Sequence, residues 1–239
     1  MAFNKIKNED FEKILSILKR CDKNQIEILS KHLDLKPFSH PLEKLINVKA
    51  EILLDSLLRS SYITLNGIRG IIAESTFNDI LVKNSKRWKD IPAGAQNPYD
   101  FILEDNAGQV RIQIKLQRKV ENLPWIRKDG CAVVETERTR SGKTKDGESS
   151  RPYRYGEFDL LGVCMEPSHG VWESFLFIPQ KYLDPHKDDI RYLNKLQSVP
   201  LSPKNNWTDN LDEAVELFRK DPSKIFIAPN RPKQFEFAF

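Results

Sequence analysis

The sequence predicts an α/β fold, with helices first, then a hairpin, then further strands and one late helix. Three observations carry that prediction. Apolar residues recur at helical spacing from residue 8 to about residue 82. The period changes to two after a loop at 88–98 that contains Pro92, Gly94 and Pro98. Strand-like runs at 131–136, 158–164 and 172–178 then precede one more amphipathic stretch at 207–219. Elements in this order suit an α/β or α+β architecture.

Residues 8–35 read as two short helices. Phe11, Ile14, Leu15, Ile17 and Leu18 mark the first, with Asn8 or Asp10 as its cap. Ile26, Ile28, Leu29, Leu33 and Leu35 mark the second, after a break at 21–24. The pair could read DNA as a helix-turn-helix or serve as a packing appendage. The appendage is favoured, because the second helix offers few side chains suited to base edges. Residues 37–41 read as a linker. A longer amphipathic helix is expected over 41–58, with Leu45, Ile46, Val48, Ile52, Leu53, Leu57 and Leu58 near one side. A polar break at 59–67 leads to a further helix over about 68–82, built on Ile68, Ile71, Ile72, Phe77, Ile80 and Leu81, which carries Glu74. Then come a strand at 99–103, a turn at 104–108 and a strand at 110–116. Residues 207–219 read as a helix with Asp209 as its cap and Leu211, Ala214, Val215 and Phe218 on its apolar side. The tail runs 225–227 and 235–237 read as strand or ordered coil. The domain reading is a helical N-terminal region, 1–60, followed by a core, 61–239.

Composition narrows the class. The 239 residues suffice for one domain with an appendage, and 39% hydrophobic with 10% aromatic content supplies a core without disulfides. No run reaches the roughly 18 apolar residues of a membrane span, so no membrane partner is expected. The stretch MAFNKIKNEDFEK lacks the apolar centre of a signal peptide. Three dispersed cysteines, Cys21, Cys131 and Cys164, fit neither a disulfide framework nor a zinc site, and a reduced, cytoplasmic location is expected. The four histidines have no metal-ligand spacing, Gly67 and Gly70 make no phosphate loop, and acyl-hydrolase motifs are lacking.

The hairpin over 99–116 holds the residues with chemistry. Val110, Ile112, Ile114 and Leu116 point one way; Arg111, Gln113 and Lys115 point the other. A tight hairpin brings Asp100 near Gln113 and Lys115, which puts a carboxylate, an amide oxygen and an ammonium in one small site. That trio suits phosphodiester hydrolysis. Asp100 and the Gln113 carbonyl are hard oxygen ligands for Mg2+, and Lys115 can orient water and balance phosphate charge.

Asp100 and Gln113-Ile114-Lys115 resemble the motif of the PD-(D/E)xK nucleases, the superfamily that includes type II restriction endonucleases. Two departures stand out: Tyr99 intervenes between Pro98 and Asp100, and Gln113 replaces the usual Glu, which lowers the negative charge of the site by one. The resemblance implies a restriction-endonuclease-like core, a mixed β-sheet flanked by helices, with Mg2+ as cofactor. Glu74 resembles the helix-borne acidic residue of many such nucleases. Flanked by Ile71, Ile72 and Phe77, it lies on or beside the buried side of its helix and needs a partner there. Asp100, Gln113 and Glu74 are thus the expected metal ligands, with Lys115 beside them.

A basic stretch follows at once. Residues 115–154 carry 11 Lys and Arg against 6 Asp and Glu, a local +5 within a chain of net +4. Gln117, Arg118, Lys119, Arg127, Lys128, Arg138, Arg140, Lys143, Arg151 and Arg154 are the expected DNA contacts, with Tyr153 and Tyr155 interleaved against sugars or bases. The competing reading of 141–150 is a solvated loop. Asp159 reads as structural, or as the partner of a nearby arginine. The resemblance implies a type II restriction endonuclease acting on double-stranded DNA, a homodimer for a palindromic target, and a cognate DNA methyltransferase as genetic partner. The alternatives are a structure-specific or repair nuclease of the same fold and a non-catalytic DNA-binding protein.

Overall fold

The computed structural model describes residues 8–32, 41–92, 97–138 and 152–220. The chain divides into two units, Met1–Ser61 and Tyr62–Phe239. In the first, α1 (Asn8–Leu18) and α2 (Lys23–His32) fall where the apolar spacing puts them. The single helix expected over 41–58 is instead two, α3 (Pro41–Ile46) and α4 (Ala50–Leu58). The break is at Asn47, which takes a left-handed φ of 56°, a conformation asparagine tolerates better than most residues. The Glu43 carboxylate then accepts from the Ala50 amide at 2.6 Å and satisfies one free donor of α4.

The second unit opens with α5 (Tyr62–Phe77), which continues into a π-helical turn over Asn78–Val82. The polar break expected through Asn66-Gly67 is therefore helical. Gly67 and Gly70 in its interior each cost about 1 kcal/mol relative to alanine. Full burial of Ala73 and Phe77 offsets that cost.

The sheet grows outward from the hairpin. β2 (Phe101–Asp105) pairs antiparallel with β3 (Gly108–Leu116), in the register Phe101 to Ile112 and Leu103 to Val110. β1 (Lys89–Ile91) extends the β2 edge from inside the segment that reads as loop; three residues are too few to show a period. On its other edge β3 pairs parallel with β7 (Leu160–Cys164), and β7 antiparallel with β8 (Phe175–Pro179). The result is a five-stranded mixed sheet in the order β1-β2-β3-β7-β8. Gly162 of β7 permits the packing there: a Cβ would meet Ile114 Cδ1 at 2.7 Å and the Phe177 ring at 2.9 Å.

The sheet is covered on both faces, giving an α/β fold of a mixed sheet flanked by helices. On one side Val110, Ile112 and Ile114 pack with Phe175, Phe177, Ala73 and Phe77, together with Leu211, Ala214 and Val215 of α7 (Leu211–Arg219). On the other, Leu161, Val163, Leu176 and Ile178 pack with Ala132, Val134, Tyr153 and Phe158. Ala132 and Val134 belong to β6 (Ala132–Glu135), which pairs antiparallel with β9 (Leu196–Val199). A small hairpin, β4 (Lys119–Val120) with β5 (Leu123–Pro124), follows β3. The sequence pattern shows neither that hairpin nor β9. α6 (Glu166–His169) is a single turn after β7. The cap of α7 is Asn210, which accepts from the amides of Asp212 and Glu213, and not Asp209. The linker at 37–41, apart from Pro41, and the tail runs at 225–227 and 235–237 lie outside the described residues.

Candidate active site

The register of the hairpin decides where Asp100 sits. Its backbone N–H donates to Ile112 O at 3.0 Å, which holds it one step before β2 and level with the middle of β3. Its Oδ2 then accepts from Gln113 Nε2 at 2.6 Å and from the Ile114 amide at 2.8 Å. Gln113 is buried, and its Nε2 also donates to Ile114 O at 3.1 Å. One amide nitrogen therefore bridges a carboxylate oxygen and a backbone carbonyl.

Lys115 stands two residues on, half-buried. Its Nζ donates to Glu137 O at 3.3 Å and lies 5.5 Å from the centroid of the buried Tyr153 ring. Burial draws the ammonium below the usual lysine range, against the pull of Asp100, Glu74 and Glu135. Glu74 comes from α5. Burial, reinforced by the charge of Asp100, pushes its carboxyl up to about 7, with Lys115 opposing. Burial also raises Asp100, although the Ile114 amide and Lys115 favour its charged form. Asp100, Gln113, Lys115 and Glu74 thus share one electrostatic neighbourhood. Two carboxylates and one lysine leave it short of positive charge.

The donors suit a hard cation. Among the described residues no three His, Cys, Asp or Glu side chains stand together as a metal cluster. Two carboxylates with an amide and a carbonyl are nevertheless the oxygen-only set that Mg2+ takes, with water completing its shell. The bridge made by Gln113 Nε2 joins Asp100 Oδ2 to Ile114 O, two oxygens that a cation would also take. Asp100 and the Ile114 carbonyl therefore fit the ion, with Glu74 in the same electrostatic neighbourhood, whereas Gln113, expected from the sequence to offer its carbonyl, turns its amide nitrogen to them.

The basic stretch is more tethered than its composition suggests. Arg118 pairs with Glu135 at 2.7 Å and lies over the Trp125 ring. Arg127 donates to Ser198 Oγ at 2.6 Å. Arg138 pairs with Glu157 at 2.6 Å and covers the Tyr153 ring. Arg154 donates twice to the Tyr192 hydroxyl. Lys119 lies on β4 and Lys128 is exposed in the loop after β5. Arg140, Lys143 and Arg151 lie outside the described residues. Gln117, expected from the sequence to contact DNA, is buried. Tyr153 is also buried, and the Tyr155 hydroxyl donates to Leu183 O at 2.7 Å, so neither is presented as the sequence suggests.

Some features of the site leave no local trace. Tyr153, the Glu137 carbonyl and Arg138 surround Lys115 from segments with no motif. Asp159 holds Arg111 through two side-chain contacts, at 2.7 and 3.0 Å, and accepts from the Arg111 amide. Its position at a strand start hinted at an arginine partner without saying which.

No family model matches the sequence, and no curated protein matches it. Among solved structures the chain is similar to a bacterial homing endonuclease, at 24% identity over 61% of this chain and 82% of that one, with a TM-score of 0.38.

Proposed function

We propose that the chain is a Mg2+-dependent endodeoxyribonuclease of the PD-(D/E)xK kind, which hydrolyses phosphodiester bonds in double-stranded DNA at a specific short sequence. The observation that carries the reading is the grouping of Asp100, Gln113 and Lys115 of the hairpin with Glu74 of α5 in one electrostatic neighbourhood, with the Ile114 carbonyl beside them. Four polar residues brought together at a cost in burial are the mark of chemistry more than of support.

Asp100, Glu74 and the Ile114 carbonyl would hold the ion, and the Gln113 oxygen would join them only if its amide, which now turns its nitrogen to Asp100 and Ile114 O, were reversed. When bound, it would supply positive charge to polarise the scissile phosphate and acidify a water. Lys115 has its own part. Its ammonium, held by Glu137 O and short of solvent, can orient water and meet charge that develops on the phosphate oxygens. Gln113 keeps Asp100 and the Ile114 carbonyl in register. Glu74, with its carboxyl at about 7 without the ion, would release its proton on taking the ion, so ion binding should be coupled to pH near neutrality. A palindromic target would be cut by a homodimer, one site per strand, in a cytoplasm where a cognate methyltransferase protects host DNA.

The test is cleavage of plasmid DNA with Mg2+. Discrete bands are expected from the wild type, and Asp100→Ala and Lys115→Ala should each abolish them while DNA binding persists. If both variants cut at the wild-type rate, the site is misassigned. Non-discrete products would move the reading to a nuclease that recognises structure and not sequence.

A further inference from the structure

Beside Lys115 lies a cleft of about 550 Å3, walled by Gly67, Gly70 and Glu74 of α5 on one side and by Lys115, Gln117 and Lys119 on the other. For three of these residues no contact among the described residues accounts for the residue type. Glycine inside a helix is destabilising relative to alanine, and it is usually kept where another group presses on it. At Gly67 and Gly70 a Cβ would have no heavy atom within 4 Å. Gln117 is 2% exposed, yet its Oε1 and Nε2 are both buried without a hydrogen-bond partner among the described residues. A buried amide normally satisfies both atoms. By strand alternation Gln117 lies on the face that carries Gln113 and Lys115.

We infer that this cleft seats the sugar-phosphate backbone of a DNA strand next to the bond at Lys115, with Gly67 and Gly70 admitting the backbone and Gln117 positioning it. The inference rests on the nuclease reading of the adjoining site. A polynucleotide backbone explains the glycines, because it must come closer to the helix than a Cβ allows. From Gly67 to Glu74 the helix rises about 10 Å, or roughly three nucleotides at the ~3.4 Å spacing of a duplex strand. Gln117 Nε2 supplies a neutral donor to a phosphate oxygen, and Oε1 accepts from a bridging water. Lys119 and Lys115 flank it with positive charge. The strand then leads towards Glu74 and Asp100. Gln117 is a positioning residue and takes no part in bond breaking.

Two measurements on the full chain test this. Thermal unfolding is followed for Gly67→Ala, Gly70→Ala, Gly70→Leu and Gln117→Leu, with Ser75→Ala, on an exposed part of the same helix, as control. Affinity for a fluorescein-labelled DNA duplex is read by anisotropy in EDTA, where no cleavage occurs. The glycine variants and Gln117→Leu should melt at or above the wild-type temperature and bind the duplex about tenfold more weakly. Ser75→Ala should bind like wild type. Wild-type affinity in all four cleft variants overturns the inference, and so does a fall in melting temperature in all four, which would make these residues ordinary packing. Asp100→Ala separates the two readings. If it binds duplex normally but no longer cuts, the nuclease reading stands whatever the cleft variants do. If the wild type binds no duplex, both readings fall.

Discussion

Asp105 and Asp100 stand at opposite ends of one short strand segment, and the fold treats their charges in opposite ways. Asp105, at the turn, takes Arg219 Nη1 at 2.8 Å and Nη2 at 2.6 Å, Arg87 Nε at 2.9 Å and the Ala107 amide at 2.9 Å. Both guanidiniums also lie over the Trp88 ring. The Arg219 hydrogen bonds, with Arg87 behind them, hold its carboxyl far below the usual carboxylate range. At the other end Asp100 meets a second carboxylate, Glu74, and both share a half-buried Lys115, so burial pushes both acids up. Asp105 accepts from two guanidiniums, whereas Asp100 and Glu74 have a single ammonium, Lys115, that favours their charged forms. Complete compensation ties α7 to the hairpin. Incomplete compensation leaves a site that an added cation would stabilise, and that difference separates a structural carboxylate from a candidate catalytic one.

Exchanging the two roles should produce the largest effect. Asp100→Asn should lower Mg2+-dependent cleavage by about a thousandfold, whereas Asp105→Asn should cleave near the wild-type rate. Equal losses in initial rates on plasmid would break the distinction. Stability should answer in reverse. Asp105→Asn removes the carboxylate that Arg219 and Arg87 share, leaving Arg87 to Glu216 and Asp212 and Arg219 to a more distant Glu216, and should cost about 2 kcal/mol in denaturant unfolding, while Asp100→Asn removes an under-compensated charge and should cost little.

The pH dependence sharpens the same contrast. The folded pKa of Asp105 lies below its unfolded value of 3.8, so its contribution is present above that value and fades as pH falls below it. Glu74 moves the other way, to about 7 from 4.5. Its contribution is present below 4.5 and is lost as pH rises towards 7. Melting temperatures followed from acid to neutral pH should show a decline on the upper limb that Glu74→Gln removes. An unchanged decline in that variant would falsify the assignment. At pH 7, Mg2+ should raise the melting temperature of the wild type more than that of Glu74→Gln. The smallest effect belongs to the cap of the helix that presents Arg219. Asn210→Ala should cost about 1 kcal/mol and leave cleavage unchanged, as read by unfolding and plasmid assays.

The catalytic candidates were largely legible because local rules place them. Period two in 110–116 puts Gln113 and Lys115 on one face. A short turn returns Asp100 beside them, and helical flanks put Glu74 at the edge of a buried stripe. The boundaries were less legible where one residue decides the backbone. Asn47 splits a helix that apolar spacing draws as continuous, and Asn66-Gly67 lies inside a helix that polarity draws as a break. The basic stretch was legible as charge but not as geometry. Nothing in the composition says that Arg118, Arg127, Arg138 and Arg154 each find a partner within the fold.

By itself, then, the sequence determined the class of fold, the hairpin and the grouping of Asp100, Gln113 and Glu74 with Lys115, because turn length and side-chain period act over a few residues and need no distant partner. Only the tertiary structure decided that β3 pairs parallel with β7, that Tyr153 lies under Lys115, that Gln117 is buried and that Asp105 is locked by arginines from both sides. Those outcomes join segments far apart in the chain. They are set by which apolar faces meet and which charges must be paired once water is excluded, and no local pattern records that choice.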